Sequence, residues 1–369
     1  MMVIRYEDMR IEKGLVKEYQ KELAIGLSRL KGHNDINLML KEFEILFARY
    51  IGTKHALAVN SGSDALRMSL LALGIGKGDS VIVPNVTYPA VALSVIYTGA
   101  TPIFVDIEEE SLQIDFSFVE KKIQKNTKAI IMAHMFARSG DIDSIIKVAR
   151  EHNLFIIEDC CQAESSSYKG RKLGVFGDIS CFSFSYYKPL SSCGGGGGMI
   201  CFDKEKYFKT LNYTKVWKDD QALLEAGQKF ARMSLMDLVA LKTKFRYLNK
   251  IMASRIKIKN IYQEELEKLN NIRIFKDNKE SISVPQNFLI FSRQRDRLGN
   301  YLKERGVVWQ KPYKPLHLMS IFSSFAEGDF PCSLKYYQRA IQLPLFSFMK
   351  AEECRYITEA IKEFYSDNG

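Results

Sequence analysis

The stretch GIGKGDSVIVPNVTYPAVALSVIYTGATPIFVDI, residues 74–107, holds two short apolar runs, VIVP and PIFVDI, each introduced by glycines. Glycine ends a helix or makes the turn before a strand, and GIGKGDS and YTGAT use the same device in succession. Outward from this unit the pattern continues in HALAVN (55–60), KAIIMAHM (128–135), LFIIED (154–159), ISCFSF (179–184) and GMICFD (198–203). Runs so short and so evenly apolar are strands covered on both faces, and SDALRMSLLALG and DIDSIIKVAREH between them carry helical patterns. The expectation is an α/β fold with a mostly parallel sheet between helices.

A chain of 369 residues, 46% hydrophobic, is long enough for two cores. The larger domain, with an N-terminal helical segment, is expected over 1–245 and a smaller α+β domain over 246–369. One long helical region is predicted from about Leu235 to Leu269, followed by RIFKD, FLIFS and VVWQKP and closed by the helix AEECRYITEAIKEFY. No apolar run reaches a membrane-spanning length, and the charged start MMVIRYEDMRIEKG is no secretion signal, so a cytoplasmic protein without membrane attachment is expected. Seven cysteines without a CxxC pair read as free thiols in a reducing compartment. Five scattered histidines lack the spacing of a metal site, and no metal is expected. The formal charge of +10 points to an anionic partner, but Lys and Arg form no block of the kind that binds nucleic acid.

In open α/β sheets ligands sit beyond the carboxyl ends of the strands, where this chain has Asn60 to Ser63, Pro84-Asn85, His134 and Glu158-Asp159. In NSGSDAL, Gly62 admits a tight turn, and the hydroxyls with the free N–H groups of a helix start could seat an anion; taken alone, the stretch is read more simply as capping by Ser61 or Ser63. Asp159, at the end of LFIIED, could keep a ring nitrogen protonated or simply cap the next helix. Lys188, in SFSYYKPLSSCGGGGGMICF, is either a surface lysine or a buried amine with lowered pKa that forms a Schiff base. An anion seat, an acid for a ring nitrogen and such a lysine are together what pyridoxal phosphate needs.

At this point the chain resembles the DegT/DnrJ/EryC1/StrS sugar aminotransferases, within the fold-type-I pyridoxal-phosphate enzymes. The resemblance runs through FEILFARYIGTKHALAVNSGSDAL, residues 74–107, IIEDCCQA, YKGRKLGVFGDISCFSF, RMSLMDLVAL, KPYKPLH and LPLFSFMKAEE. It implies a large domain with a seven-stranded sheet, Lys188 as the lysine of the internal aldimine and Asp159 as the partner of the pyridinium nitrogen. It further implies Gln162 beside the phenolic oxygen, Tyr88 stacked on the ring, and Gly62, Ser63, Asp64 and Ser183 around the phosphate. Lys311, Tyr313 and His317 match a segment near the substrate. The implied reaction passes an amino group from glutamate, by way of pyridoxamine phosphate, to a nucleotide-diphosphate keto sugar, in a homodimer whose active sites are shared.

The chain also departs from the family. Phe230 or Lys229 stands where relatives carry an asparagine that reaches the neighbouring subunit's phosphate, Pro189 replaces the asparagine after the lysine, the glycine run lacks its acidic residue, and Arg138 and Ser139 are unusual. A pyridoxamine-dependent deoxygenase would have histidine in place of Lys188. A cyclitol or other non-nucleotide ketone as substrate, and a regulator or partner subunit whose catalysis has lapsed, are the alternatives.

Overall fold

All seven apolar runs become strands of one sheet in the computed structural model, which describes residues 3–5, 13–28, 33–185, 188–192, 195–211 and 233–366. They are β1 (His55–Val59), β2 (Ser80–Pro84), β3 (Thr101–Val105), β4 (Thr127–Ala133), β5 (Phe155–Asp159) and, after the two-residue strands β6 (Ser167–Tyr168) and β7 (Arg171–Lys172), β8 (Ile179–Ser183) and β9 (Gly198–Phe202). The order is β1-β9-β8-β5-β4-β2-β3. Every contact from β8 to β3 is parallel, and β9 alone runs against its neighbours, β1 and β8. The carboxyl ends of β1, β8, β5, β4 and β2 therefore share one edge of the sheet.

The reason these strands read as unbroken apolar runs lies in the packing. Ile130 and Ile156 point into one buried cluster with Phe43, Phe47 and Phe182, while the next residues, Ile131 and Ile157, point into another with Leu66, Met68 and Val83. Successive side chains alternate faces, and here both faces are dry.

A second sheet, β10 (Ile272–Ile274), β12 (Phe288–Ser292) and β13 (Ala340–Leu343), is antiparallel, and β11 (Ser281–Ile282) joins β6 instead. Helices Leu248–Leu266 and Ala351–Ser366 share a core with the second sheet, where the ring of Tyr262 stacks on Phe288 at 4.7 Å. VVWQKP forms no strand of this sheet; Ile4 bonds to Gly306 and Val308, and Gln310 pairs with Gln342.

The long helical region expected from about Leu235 to Leu269 is two helices, Leu235–Arg246 and Leu248–Leu266, broken at Tyr247. The first packs on helices Lys13–Ser28 and His33–Ile51, the second chiefly on Ala351–Ser366. A change of packing partner, with no glycine or proline to announce it, makes the break.

His134 and Glu158 stand at strand ends but are consumed internally. The Glu158 carboxylate, wholly buried, lies 2.9 Å from His134 Nε2 and accepts N–H bonds from Gly174, Phe176 and Gly177. Burial pushes its pKa up, but His134 and these backbone donors more than offset that and hold it below the usual range. With Cys160 they form a compact buried group whose polar atoms all lie within 4.8 Å of one another, and within it Glu158 ties down the 174–177 loop. Glu158→Ala, which orphans His134 and three donors, is expected to cost about 3–5 kcal/mol in chemical unfolding, whereas Arg246→Ala at a half-exposed ion pair should cost under about 1 kcal/mol.

Candidate active site

After β1 the chain enters helix Gly62–Ala72 through Ser61, whose extended backbone and side chain cap it: Oγ accepts from the Asp64 N–H at 3.1 Å. Capping therefore belongs to Ser61, and Ser63 is left exposed on the first turn. Gly62 is buried, and a Cβ there would stand 2.8 Å from both Cys161 Sγ and Ser183 Cβ. The absence of a side chain seats the start of the helix directly on the ends of β5 and β8.

The glycine run serves a related purpose. A Cβ on Gly198 would come within 2.5 Å of the Ser61 backbone, and Gly197, with φ of +105°, donates to the Asn60 carbonyl. These residues are neither linker nor phosphate loop; they let β9 pass against the turn that opens the helix.

Asp159 ends β5, buried, with Oδ1 accepting from the Cys161 N–H at 3.0 Å. Burial raises the Cys161 thiol well above its usual pKa; Asp159 raises it further, and the nearby Lys188 ammonium opposes both. Lys188 is half-buried, and its Nζ lies 3.4 Å from Gln286 Oε1. Its loop is held by the buried carboxylate of Glu164, which accepts from the Leu190 N–H at 3.2 Å. Desolvation raises the Glu164 pKa, and that N–H with the charges of Lys188 and Arg255 offsets this only in part.

Gln162 gives its carbonyl oxygen to the Phe136 N–H at 2.9 Å, so its amide N–H groups are what it can present onward. It thereby fixes a strained turn, since Phe136 and Ala137 both have positive φ. Tyr88 is 54% exposed, with its ring edge-on to Tyr313 at 6.0 Å. Ser183 is half-buried beneath Gly62.

Asn85, fully buried, accepts from the His317 backbone N–H with Oδ1, so its Nδ2 donates to His317 Nδ1 at 2.7 Å. That selects the neutral tautomer with hydrogen on Nε2, and burial lowers the His317 pKa in agreement. Tyr313 and His317 thus reach the loop after β2. Lys311 does not join them; its Nζ lies 3.8 Å from Asp296. Arg138 and Ser139 serve contacts with the 275–281 segment: Arg138 donates to Lys276 O at 2.8 Å and Ser139 meets Ser281. Lys229 and Phe230 lie outside the described residues.

The model of the DegT/DnrJ/EryC1/StrS aminotransferase family matches residues 36–362. The chain belongs to that family. Among its relatives are the GDP-perosamine synthase of Escherichia coli O157:H7, 33% identical over 339 residues, 89% of this chain and 90% of that protein. The pleiotropic regulatory protein of Geobacillus stearothermophilus is also 33% identical, over 88% of this chain and 89% of its own length. The crystal structure of Streptomyces venezuelae DesV in complex with a ketimine intermediate is 28% identical with a TM-score of 0.89, covering 99% of both chains.

The family is one of pyridoxal-phosphate enzymes, and this chain's residues fit the group. A helix start with no side chain in the way, an exposed aromatic face, a buried carboxylate and an amine converge on the same edge of the sheet. Gln286, Glu164 and Asn85 were not assigned from sequence to these supporting roles, because their partners lie 26 to 232 residues away.

Gly62→Ala is expected to weaken pyridoxal phosphate binding about tenfold or more, read by absorbance titration, because the added methyl separates the helix start from β5 and β8. The His317 ring is expected to titrate below its ordinary value of 6.5 by NMR. Since the folded state disfavours the proton, its contribution to stability is full above that value and falls as pH drops through 6.5 toward the folded midpoint.

Proposed function

We propose that the protein transfers the amino group of an amino acid, glutamate in the first instance, to a nucleotide-diphosphate-linked keto sugar. The observation that carries this is the convergence of Lys188, Asp159 and the first turn at Gly62 on the ends of β5 and β8. Bound there, pyridoxal phosphate supplies an aldehyde that links to amines and a ring that takes up electrons. The first turn, with Gly62, Ser63 and Asp64, would hold its phosphate together with Ser183, and Tyr88 would cover the ring. Asp159 would keep a proton on the ring nitrogen, and Gln162 would donate to the phenolic oxygen. Lys188 would hold the aldehyde and, once released, would take up the proton lost from the α-carbon of the amino donor.

The GDP-perosamine synthase relative supports a nucleotide sugar as acceptor. A net charge of +10 favours approach of a diphosphate, with Tyr313 and His317 toward the acceptor. The cofactor would carry the amino group between donor and acceptor as pyridoxamine phosphate. A homodimer with shared active sites is supported by exposed apolar residues on three helices that pack together: Leu27, Leu38, Ile45 and Met236 among them. The change of packing partner at Tyr247 supports a division into 1–245 and 246–369. No described helix is long and apolar enough to cross a membrane, and six described cysteines are free, which supports a cytoplasmic location. The Geobacillus stearothermophilus relative favours a second reading, a regulator that binds the cofactor without turnover.

Purified protein is expected to absorb near ~420 nm and to lose that band on addition of glutamate, the regulator keeping it; Lys188→Ala should abolish the band and lower amine transfer at least roughly hundredfold. Retention of both by Lys188→Ala removes the lysine assignment. Amine formation from GDP- and dTDP-linked keto sugars against cyclitol ketones tests the acceptor, and sedimentation tests the dimer.

A further inference from the structure

Gln286 comes from the loop between β11 and β12, outside the seven-stranded sheet, yet both ends of its amide are engaged at the ends of β5 and β8. Its Oε1 lies 3.4 Å from Lys188 Nζ and its Nε2 donates to the Cys161 carbonyl at 3.3 Å. The second bond fixes which end faces the lysine, because only the amide nitrogen can donate to a carbonyl. The loop itself is pinned: the buried Arg255 guanidinium donates to the carbonyls of Pro285, Gln286 and Leu345, and to Ser347 Oγ. A side chain anchored so far from Lys188 in sequence, and so firmly in its backbone, has a fixed oxygen to offer.

We infer that Gln286 is a positioning residue for Lys188, holding the free amine against the end of β5 during the stages in which the lysine is released from the cofactor. An N–H directed into Oε1 turns the amine's lone pair away from the amide, which leaves it ready to accept a proton elsewhere. A neutral acceptor also bonds more strongly to an ammonium than to an amine, so Gln286 favours the protonated form. The assignment rests on Lys188 being the cofactor's lysine.

The other charged or titratable groups around this amine are Asp159 at the end of β5, Cys161 and Glu164 from the segment after it, and Arg255 from helix Leu248–Leu266. Lys244 and Asp237 of helix Leu235–Arg246 flank the same loop, Lys244 at Ser191 and Asp237 at Gly196. All are unchanged by substitution at 286, so a displaced midpoint would report the amide.

The test uses the full chain loaded with pyridoxamine phosphate, which has no aldehyde to occupy the lysine. Labelling of the Lys188 amine by acetic anhydride is followed by mass spectrometry as a function of pH, beside circular dichroism. The midpoint is expected to fall by about half a pH unit or more in Gln286→Leu and to rise in Gln286→Glu, which keeps an acceptor and adds a negative charge. An unchanged midpoint in both, or a shift of both in one direction, overturns the assignment. If the leucine variant does not fold, the glutamate variant decides alone, and an unchanged or lowered midpoint refutes the inference. Failure of both to fold makes Gln286 a structural tie and overturns it as well. Loss of the Lys188 assignment itself would instead show as a retained ~420 nm band in Lys188→Ala, independently of these midpoints.

Discussion

The first turn of helix Gly62–Ala72 rests on the sheet without a side chain between them. That single close approach sets the spacing of almost everything functional, because it brings a helix start, with its free N–H groups, to the height at which β5 delivers Asp159 and β8 delivers Ser183. Gly198 extends the same constraint to the next layer: β9 must cross behind Ser61, and only a bare backbone fits. Two glycines from segments more than a hundred residues apart therefore answer one geometric demand.

The smaller sheet is tied to this edge by polar contacts as well as apolar packing. Asp106 accepts from the N–H groups of Cys332 and Ser333 and so caps helix Pro331–Arg339. Asn85 grips Leu316 and His317, and Phe136 packs with Phe275, Phe291 and Tyr336. The strained turn at Phe136 and Ala137 is held by Gln162 on one side and by this apolar cluster on the other. Residues at the carboxyl edge of the large sheet thus double as supports for the joint.

The strands were legible because burial on both faces writes itself as short apolar runs, and Lys188 stood out because an aromatic strand and a glycine run frame it. Other features left no such mark. The break at Tyr247 follows from tertiary packing, and the two-residue strands β6, β7 and β11 are too short to carry a period. His134 and Glu158 looked like site residues from their place at strand ends, yet each is the other's partner inside the domain. Alternation explains it: Glu158 and Asp159 are neighbours on one strand, so their side chains leave opposite faces. Lys311, read with Tyr313 and His317 as one segment, parts from them because a loop lets adjacent residues choose separate partners.

Cys161 places a thiol close to Lys188, just beyond the end of β5. Its thiol is desolvated and shares its surroundings with Asp159, so it stays protonated at neutral pH, and a protonated thiol attacks carbonyl carbon poorly. Burial sets this first and the Asp159 charge adds to it: the carboxylate proposed to keep a heterocycle protonated also helps to keep a neighbouring thiol silent.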